Sequence, residues 1–137
     1  MTFLLDTSVV SQTAKVQPHG GVAQWWGQRR ESELVISAVT VHELRYGIEL
    51  LDEGARRRYL EAWLTDQVVP DFAGRILCVD KTVADLSGRL LARKKKDKQT
   101  AQVNDIMIAA TAIVHGLQVA TLNWKHFEGL GVELVEF

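Results

Sequence analysis

The sequence predicts a three-layer α/β fold with a mainly parallel central sheet, and three observations predict it. Short apolar runs that read as buried strands alternate with longer stretches of helical periodicity along the whole chain. The runs are nearly continuous rather than alternating, as expected of strands covered on both faces. Glycine and proline punctuate the intervals sparsely, with only Pro18 and Pro70 as prolines, so neither repeats nor a low-complexity linker divide the chain. At 137 residues and 47% hydrophobic composition, residues 1–137 read as one domain with enough apolar surface for its own core.

Thr2 to Leu5 forms the first apolar run and ends at Asp6. A short helix is expected over Ser8 to Lys15, then the turn Pro18-His19-Gly20-Gly21, then a helix from Val22 to Arg30 carrying Trp25 and Trp26. Leu34 to Ser37 reads as the second strand. Thr40 is expected to open the next helix, with Val41, Leu44, Ile48 and Leu51 on one face. A further helix spans about Glu53 to Gln67, with Tyr59, Leu60, Trp63 and Leu64 turned inward. Arg75 to Val79 is the third strand. Asp80 caps a helix whose inner face is Val83, Leu86, Leu90 and Leu91 and whose end is the basic run Arg93 to Lys96 and Lys98. Asn104 opens a helix that is apolar almost all round from Ile106 to Val114, and Gly116 ends it. Leu117 to Thr121 is the fourth strand, Trp124 to Glu128 one helical turn, and Val132 to Val135 the last strand.

Charge is nearly balanced, with 16 basic and 17 acidic residues and a net charge of -1. Nucleic-acid contact must therefore come from local patches rather than from the whole molecule's field. Cys78 is the only cysteine, which excludes an intrachain disulfide and a cysteine metal cluster and suits a reducing compartment. None of the four histidines has zinc-pair spacing on a helix. The opening residues lack the basic and long apolar regions of a signal peptide, and the run Ile106 to Val114 is too short to cross a bilayer. The expectation is a cytoplasmic protein without a membrane anchor.

Three acids stand out. Asp6 ends the first strand, while Glu43 and Asp105 are each expected in the first turn of a helix. Each has a purely structural reading: Asp6 as a helix cap, Glu43 as the partner of Thr40 in a capping box, and Asp105 as a favourable charge at a helix start capped by Asn104. In a parallel α/β fold, however, strand ends and helix starts share one edge, where sites form. Carboxylates brought together there repel one another and require a cation, and an all-oxygen set selects Mg²⁺ or Mn²⁺ over zinc. That is the chemistry of metal-assisted phosphodiester cleavage.

Four segments carry a resemblance: Leu4-Leu5-Asp6-Thr7-Ser8-Val9-Val10, Ile36 through Ile48 around His42-Glu43-Leu44, Val103 through Ala112 around Asn104-Asp105, and Val119 through Val132. In this order they resemble the PIN-domain ribonucleases, and among them the VapC-type toxins of toxin–antitoxin pairs, in particular the FitB-like branch. The resemblance covers essentially the whole chain. It implies that Asp6, Glu43 and Asp105 bind the metal and that Thr7 or Ser8 orients the site. It also implies an RNA substrate cut to 5′-phosphate and 3′-hydroxyl ends, a small antitoxin that blocks the acidic pocket, and a toxin homodimer. The fourth segment departs from the family's more acidic form. Asn123 and His126 stand where relatives often carry aspartates, so Asn123 is expected to serve as a weaker metal ligand, through its amide oxygen or a water. His126 is read as a local cap or packing residue. Arg45, Arg93 to Lys96, Lys98 and Lys125 are the candidate RNA contacts, and Trp25, Trp26 and Trp63 are either core or a groove for a partner helix. A receiver-like or haloacid-type phosphatase domain is excluded, because Asp6-Thr7-Ser8 lacks the second acid either requires. The alternative to a nuclease is a PIN-like domain that binds RNA or a protein without cleaving.

Overall fold

The computed structural model describes residues 1–137. Four strands form one fully parallel sheet in the order β3-β2-β1-β4. The strands are β1 (Phe3–Leu5), β2 (Leu34–Ser37), β3 (Ile76–Leu77) and β4 (Gln118–Ala120). The α-helices are α1 (Thr7–Val10), α2 (Gly20–Gly27), α3 (Ala38–Glu49), α4 (Ala55–Ala62), α5 (Val69–Asp71), α6 (Lys81–Lys96) and α7 (Val103–His115).

The strand pleat sorts the core into two halves. Phe3, Leu5, Leu34 and Ile36 point to one face and pack with Val22, Leu44, Ile48, Trp63 and Leu64. Leu4, Val35 and Val119 point to the other and pack with Val83, Leu90, Ile106, Ile108 and Ala109. Because side chains alternate along a strand, three apolar residues in a row can serve both layers at once. The three-layer α/β expectation holds.

Helix ends follow local chemistry where a single residue could supply it. Asp80 accepts the Val83 N–H at 2.9 Å, and Gly116 closes α7 at φ 67°, a left-handed conformation that favours glycine. Elsewhere the expectation shifts. The α3 cap is Ser37, whose Oγ accepts the Val39 N–H at 3.0 Å, so the helix starts at Ala38 rather than Thr40. The chain leaves β2 with Ser37 still extended, which makes Ser37 the first position able to cap. Thr40 is then wholly buried inside the helix. Likewise α7 begins at Val103 after an extended Gln102, so Asn104 lies within the first turn and caps nothing.

The helix expected over Glu53 to Gln67 widens into a π-helical segment at Trp63–Val68 before α5. The inward face is only part of the expected one. Trp63 and Leu64 are buried, but Tyr59 is 54% exposed and donates its hydroxyl to the Ala14 carbonyl at 2.9 Å. The third strand shortens to two residues. The expected last strand, Val132 to Val135, pairs only as a single bridge from Leu134 to Val119.

Candidate active site at the carboxyl edge of the sheet

Asp6 follows β1 directly, and its backbone N–H reaches across to the Ala120 carbonyl at 2.9 Å. Its carboxylate, 3% exposed, is held by two hydroxyls that converge on Oδ2: Ser8 Oγ at 2.8 Å and Thr121 Oγ1 at 2.8 Å. Both hydroxyls also accept backbone N–H groups, Ser8 from Leu122 at 3.0 Å and Thr121 from Asn123 at 2.9 Å. With their acceptor sides occupied, their hydrogens are directed to Asp6. Oδ1 receives no protein donor and is not sealed from solvent. Asp6 makes no side-chain cap bond to α1, so the capping alternative fails and one carboxylate oxygen is left available.

Glu43 is the sixth residue of α3, a turn later than expected, because Ser37 starts the helix early. The capping box with Thr40 is absent. Instead Thr7 Oγ1 lies 2.7 Å from Glu43 Oε1 and 3.2 Å from Thr40 Oγ1. One hydroxyl hydrogen cannot serve both, and the nearer, charged oxygen takes it. Thr7 therefore orients Glu43, while Ser8 orients Asp6.

Asp105 lies in the first turn of α7 and is 9% exposed. A helix N-terminus favours a negative charge, yet the Asp105 carboxyl is pushed up to about 6. Burial is the main cause, and the charges of Asp6 and Glu43 add to it, against an opposing pull from His126. Both Asp6 and Glu43 are thus within electrostatic reach of Asp105. The three acids do not close into a tight cage of ligands. They border an open, oxygen-only site in which one Asp6 oxygen is uncommitted and Asp105 resists ionisation. Such a donor set fits a hard divalent cation that retains waters.

The remaining expected residues divide. Asn123 is exposed, and only its backbone N–H ties it to the Asp6 network, through Thr121. His126 is not a local cap: its Nδ1 stands 3.1 Å from Asp105 Oδ2. Among the basic residues, Arg45 is turned to Thr65 and Glu49, and Lys94 to Gln99 and the Glu128 carbonyl. Trp63 is core, while Trp25 and Trp26 are partly buried against it. The Thr121 hydroxyl and the His126–Asp105 contact had no local signal in the sequence beyond lying after the fourth strand.

Two cavities flank the acids. One, of about 720 Å³, is lined by Thr7, Glu43, Leu44, Ile48, Tyr59 and Trp63 among others. Another, of about 560 Å³, begins at Thr121.

The PIN domain family model matches residues 3–131. The chain is 35% identical to VapC ribonuclease Y4jK of Sinorhizobium fredii, over 96% of this chain and 94% of that protein. It is 38% identical to toxin FitB of Neisseria gonorrhoeae, over 90% of this chain and 89% of that one. The crystal structure of FitAcB from Neisseria gonorrhoeae superimposes with a TM-score of 0.88 at 35% identity, covering 98% of this chain and 97% of that chain.

Proposed function

The chain belongs to the PIN-domain family, and we propose that it is a Mg²⁺- or Mn²⁺-dependent endoribonuclease, the toxin of a toxin–antitoxin pair. The observation that carries this reading is the gathering of Asp6, Glu43 and Asp105 at one sheet edge, where burial first, and then the charges of Asp6 and Glu43, push the Asp105 carboxyl up to about 6. Residues 1–137 act as a single catalytic domain.

Asp6 and Asp105 would hold the ion with Glu43, and Asn123 would contribute more weakly, through a water. When bound, the ion supplies charge neutralisation and Lewis-acid polarisation of the phosphodiester. The chain's own residues do the rest. Ser8 and Thr121 fix the Asp6 carboxylate, and Thr7 fixes that of Glu43. The Asp105 carboxyl, raised to about 6, holds a proton more readily than an ordinary carboxylate, so Asp105 is the better placed to take the proton of the attacking water. Water attack on phosphorus with departure of the 3′ oxygen leaves 5′-phosphate and 3′-hydroxyl ends. The apolar cavity that opens on Glu43 supports docking of an antitoxin beside the acids. Association into a homodimer belongs to the same reading.

The test is incubation of purified, antitoxin-free protein with total tRNA and rRNA in Mn²⁺, Mg²⁺ or chelator, alongside Asp6→Asn. Discrete fragments are expected with either metal and none with chelator or the variant. Folded protein that binds RNA but cuts nothing in any condition would replace the nuclease with a binding module, a reading favoured by the missing carboxylate at Asn123.

The Asp6 network gives a second expectation. Hydrogen bonds to a charged group contribute about 1.5–3 kcal/mol. Thr121→Val and Ser8→Ala should each lower kcat/KM about tenfold or more, with Thr121→Ser near wild type. Steady-state cleavage of one identified fragment site measures this, and an unchanged rate in both variants would remove the orienting role.

A further inference from the structure

The 560 Å³ cavity lies beside the acids, with His19, Thr121, Leu122, Trp124, Glu136 and Phe137 in its walls. Its volume falls within the range of small-ligand sites. Thr121 belongs both to this wall and to the Asp6 network, so a single residue separates the cavity from the acid site.

The wall is held rigidly on one side. The His19 N–H is held by Gln12 Oε1 at 2.9 Å, and its Nδ1 accepts the Val22 N–H at 3.2 Å. An accepting Nδ1 leaves the proton of the neutral ring on Nε2, a donor with no partner in the protein. Phe137 stands edge-on to His19 at 6.5 Å and to Trp25 at 5.5 Å, and Trp25 stands edge-on to Phe3 of β1 at 5.1 Å. Beneath them, a Cβ on Gly21 would lie 3.1 Å from His19 Cε1 and 3.3 Å from Phe137 Cβ, so glycine there lets both rings settle onto α2.

Trp124 differs from the other tryptophans. It is 52% exposed at the start of the 3-10 turn Trp124–Phe127 and pairs with no other ring, whereas Trp63 is buried and Trp25 and Trp26 are partly buried against other rings. An unpaired indole, a free imidazole N–H and a carboxylate around one cavity match an unstacked base: an apolar face with donors and acceptors on its edge. Leu122, Leu134 and Val135 complete the apolar wall of this cavity, while the row Leu44, Ile48 and Leu60 on α3 and α4 in the other cavity suits a partner helix.

We infer that this cavity is a nucleobase subsite, in which a base flanking the scissile phosphate stacks on Trp124 between His19 Nε2 and the Glu136 carboxylate. The inference rests on the nuclease reading for the identity of its ligand, but its test does not need cleavage. Short homopolymeric oligoribonucleotides carrying a fluorescent label are titrated with the intact chain in chelator and followed by anisotropy. Trp124→Ala is expected to raise Kd about tenfold, the scale of one lost base stack, and Trp124→Phe to recover most of it. In Mn²⁺, Trp124→Ala should raise KM far more than it lowers kcat. An unchanged Kd in Trp124→Ala overturns the subsite even where metal-dependent cleavage is present. Absent cleavage with Trp124-dependent binding overturns the nuclease reading and leaves the subsite standing. If Trp124→Ala weakens only the association of a co-purified antitoxin, the face binds protein and the proposal falls.

Discussion

Asp105→Asn is expected to abolish metal-dependent cleavage, by at least about a hundredfold, while making the metal-free protein more stable at neutral pH. Both effects have one origin. In the folded protein the Asp105 carboxyl titrates at about 6, against a reference value of 3.8. Below the unfolded value both states hold the proton, and the group costs the fold nothing. As pH rises from there toward 6, the unfolded chain releases its proton while the folded chain retains it, so stability falls. Above 6 the folded carboxyl also ionises, and the loss levels off at about 3 kcal/mol, an upper bound set by two pH units. A neutral amide of the same shape removes this cost but not the need of a cation for negative ligands. Thermal denaturation in chelator should therefore show a gain for the variant that grows between about pH 4 and pH 7 and then flattens, reaching at most about 10 °C, the shift that the upper bound of about 3 kcal/mol gives in a domain of this size. A gain independent of pH, or a variant that still cuts RNA in Mn²⁺, would contradict the assignment of Asp105. The His126 imidazole faces the same oxygen and when protonated favours the ionised carboxylate, so the wild-type curve is shallower than an isolated acid would give.

Trp63→Ala should destabilise the fold by about 3–5 kcal/mol, a large part of the stability of a domain of this size. Trp63 is 3% exposed and packs in the core on the α3–α4 side of the sheet. Its indole N–H donates to Thr13 Oγ1 at 3.0 Å, fastening the 3-10 segment Ser11–Ala14 that follows α1. Truncation leaves a cavity the size of an indole and releases that segment. Thr13 keeps its bond to the Val10 carbonyl, so no buried hydroxyl is stranded and the loss is chiefly one of packing. Trp63→Phe, which retains most of the volume, should cost about half as much. Urea denaturation at unchanged m-value measures both, and a midpoint shift for Trp63→Ala no larger than for Trp63→Phe would show that the site collapses without a cavity. Since Trp63 also lines the cavity beside Glu43, the alanine variant should also weaken binding of the antitoxin proposed to dock there.

The parts of this molecule that were legible in the sequence are those governed by neighbours a few positions away. The apolar runs at Phe3–Leu5 and Leu34–Ser37 became central strands, Asp80 capped its helix, and Gly116 ended the apolar helix in the left-handed conformation foreseen for it. Asp6, Glu43 and Asp105 could be singled out because strand ends and helix starts share an edge in a parallel α/β sheet. What the tertiary structure decided was each case in which two local choices were nearly equivalent, or in which the partner lay far along the chain. Ser37 and Thr40 are both competent caps, and the exit of β2 selected Ser37, which moved Glu43 out of a capping box and into reach of Thr7. Tyr59 is half exposed with its hydroxyl on the Ala14 carbonyl, 45 positions away, and the π-helical segment that follows its helix is a change that periodicity does not encode. The carboxylate of Asp6 is oriented by Thr121, 115 positions away, and that of Asp105, at the start of α7, faces His126 in the 3-10 turn after β4. Capping and periodicity are short-range and leave a trace in the local order of residues. The orientation of a carboxylate and the cost of ionising it depend on which side chains the completed fold brings beside it.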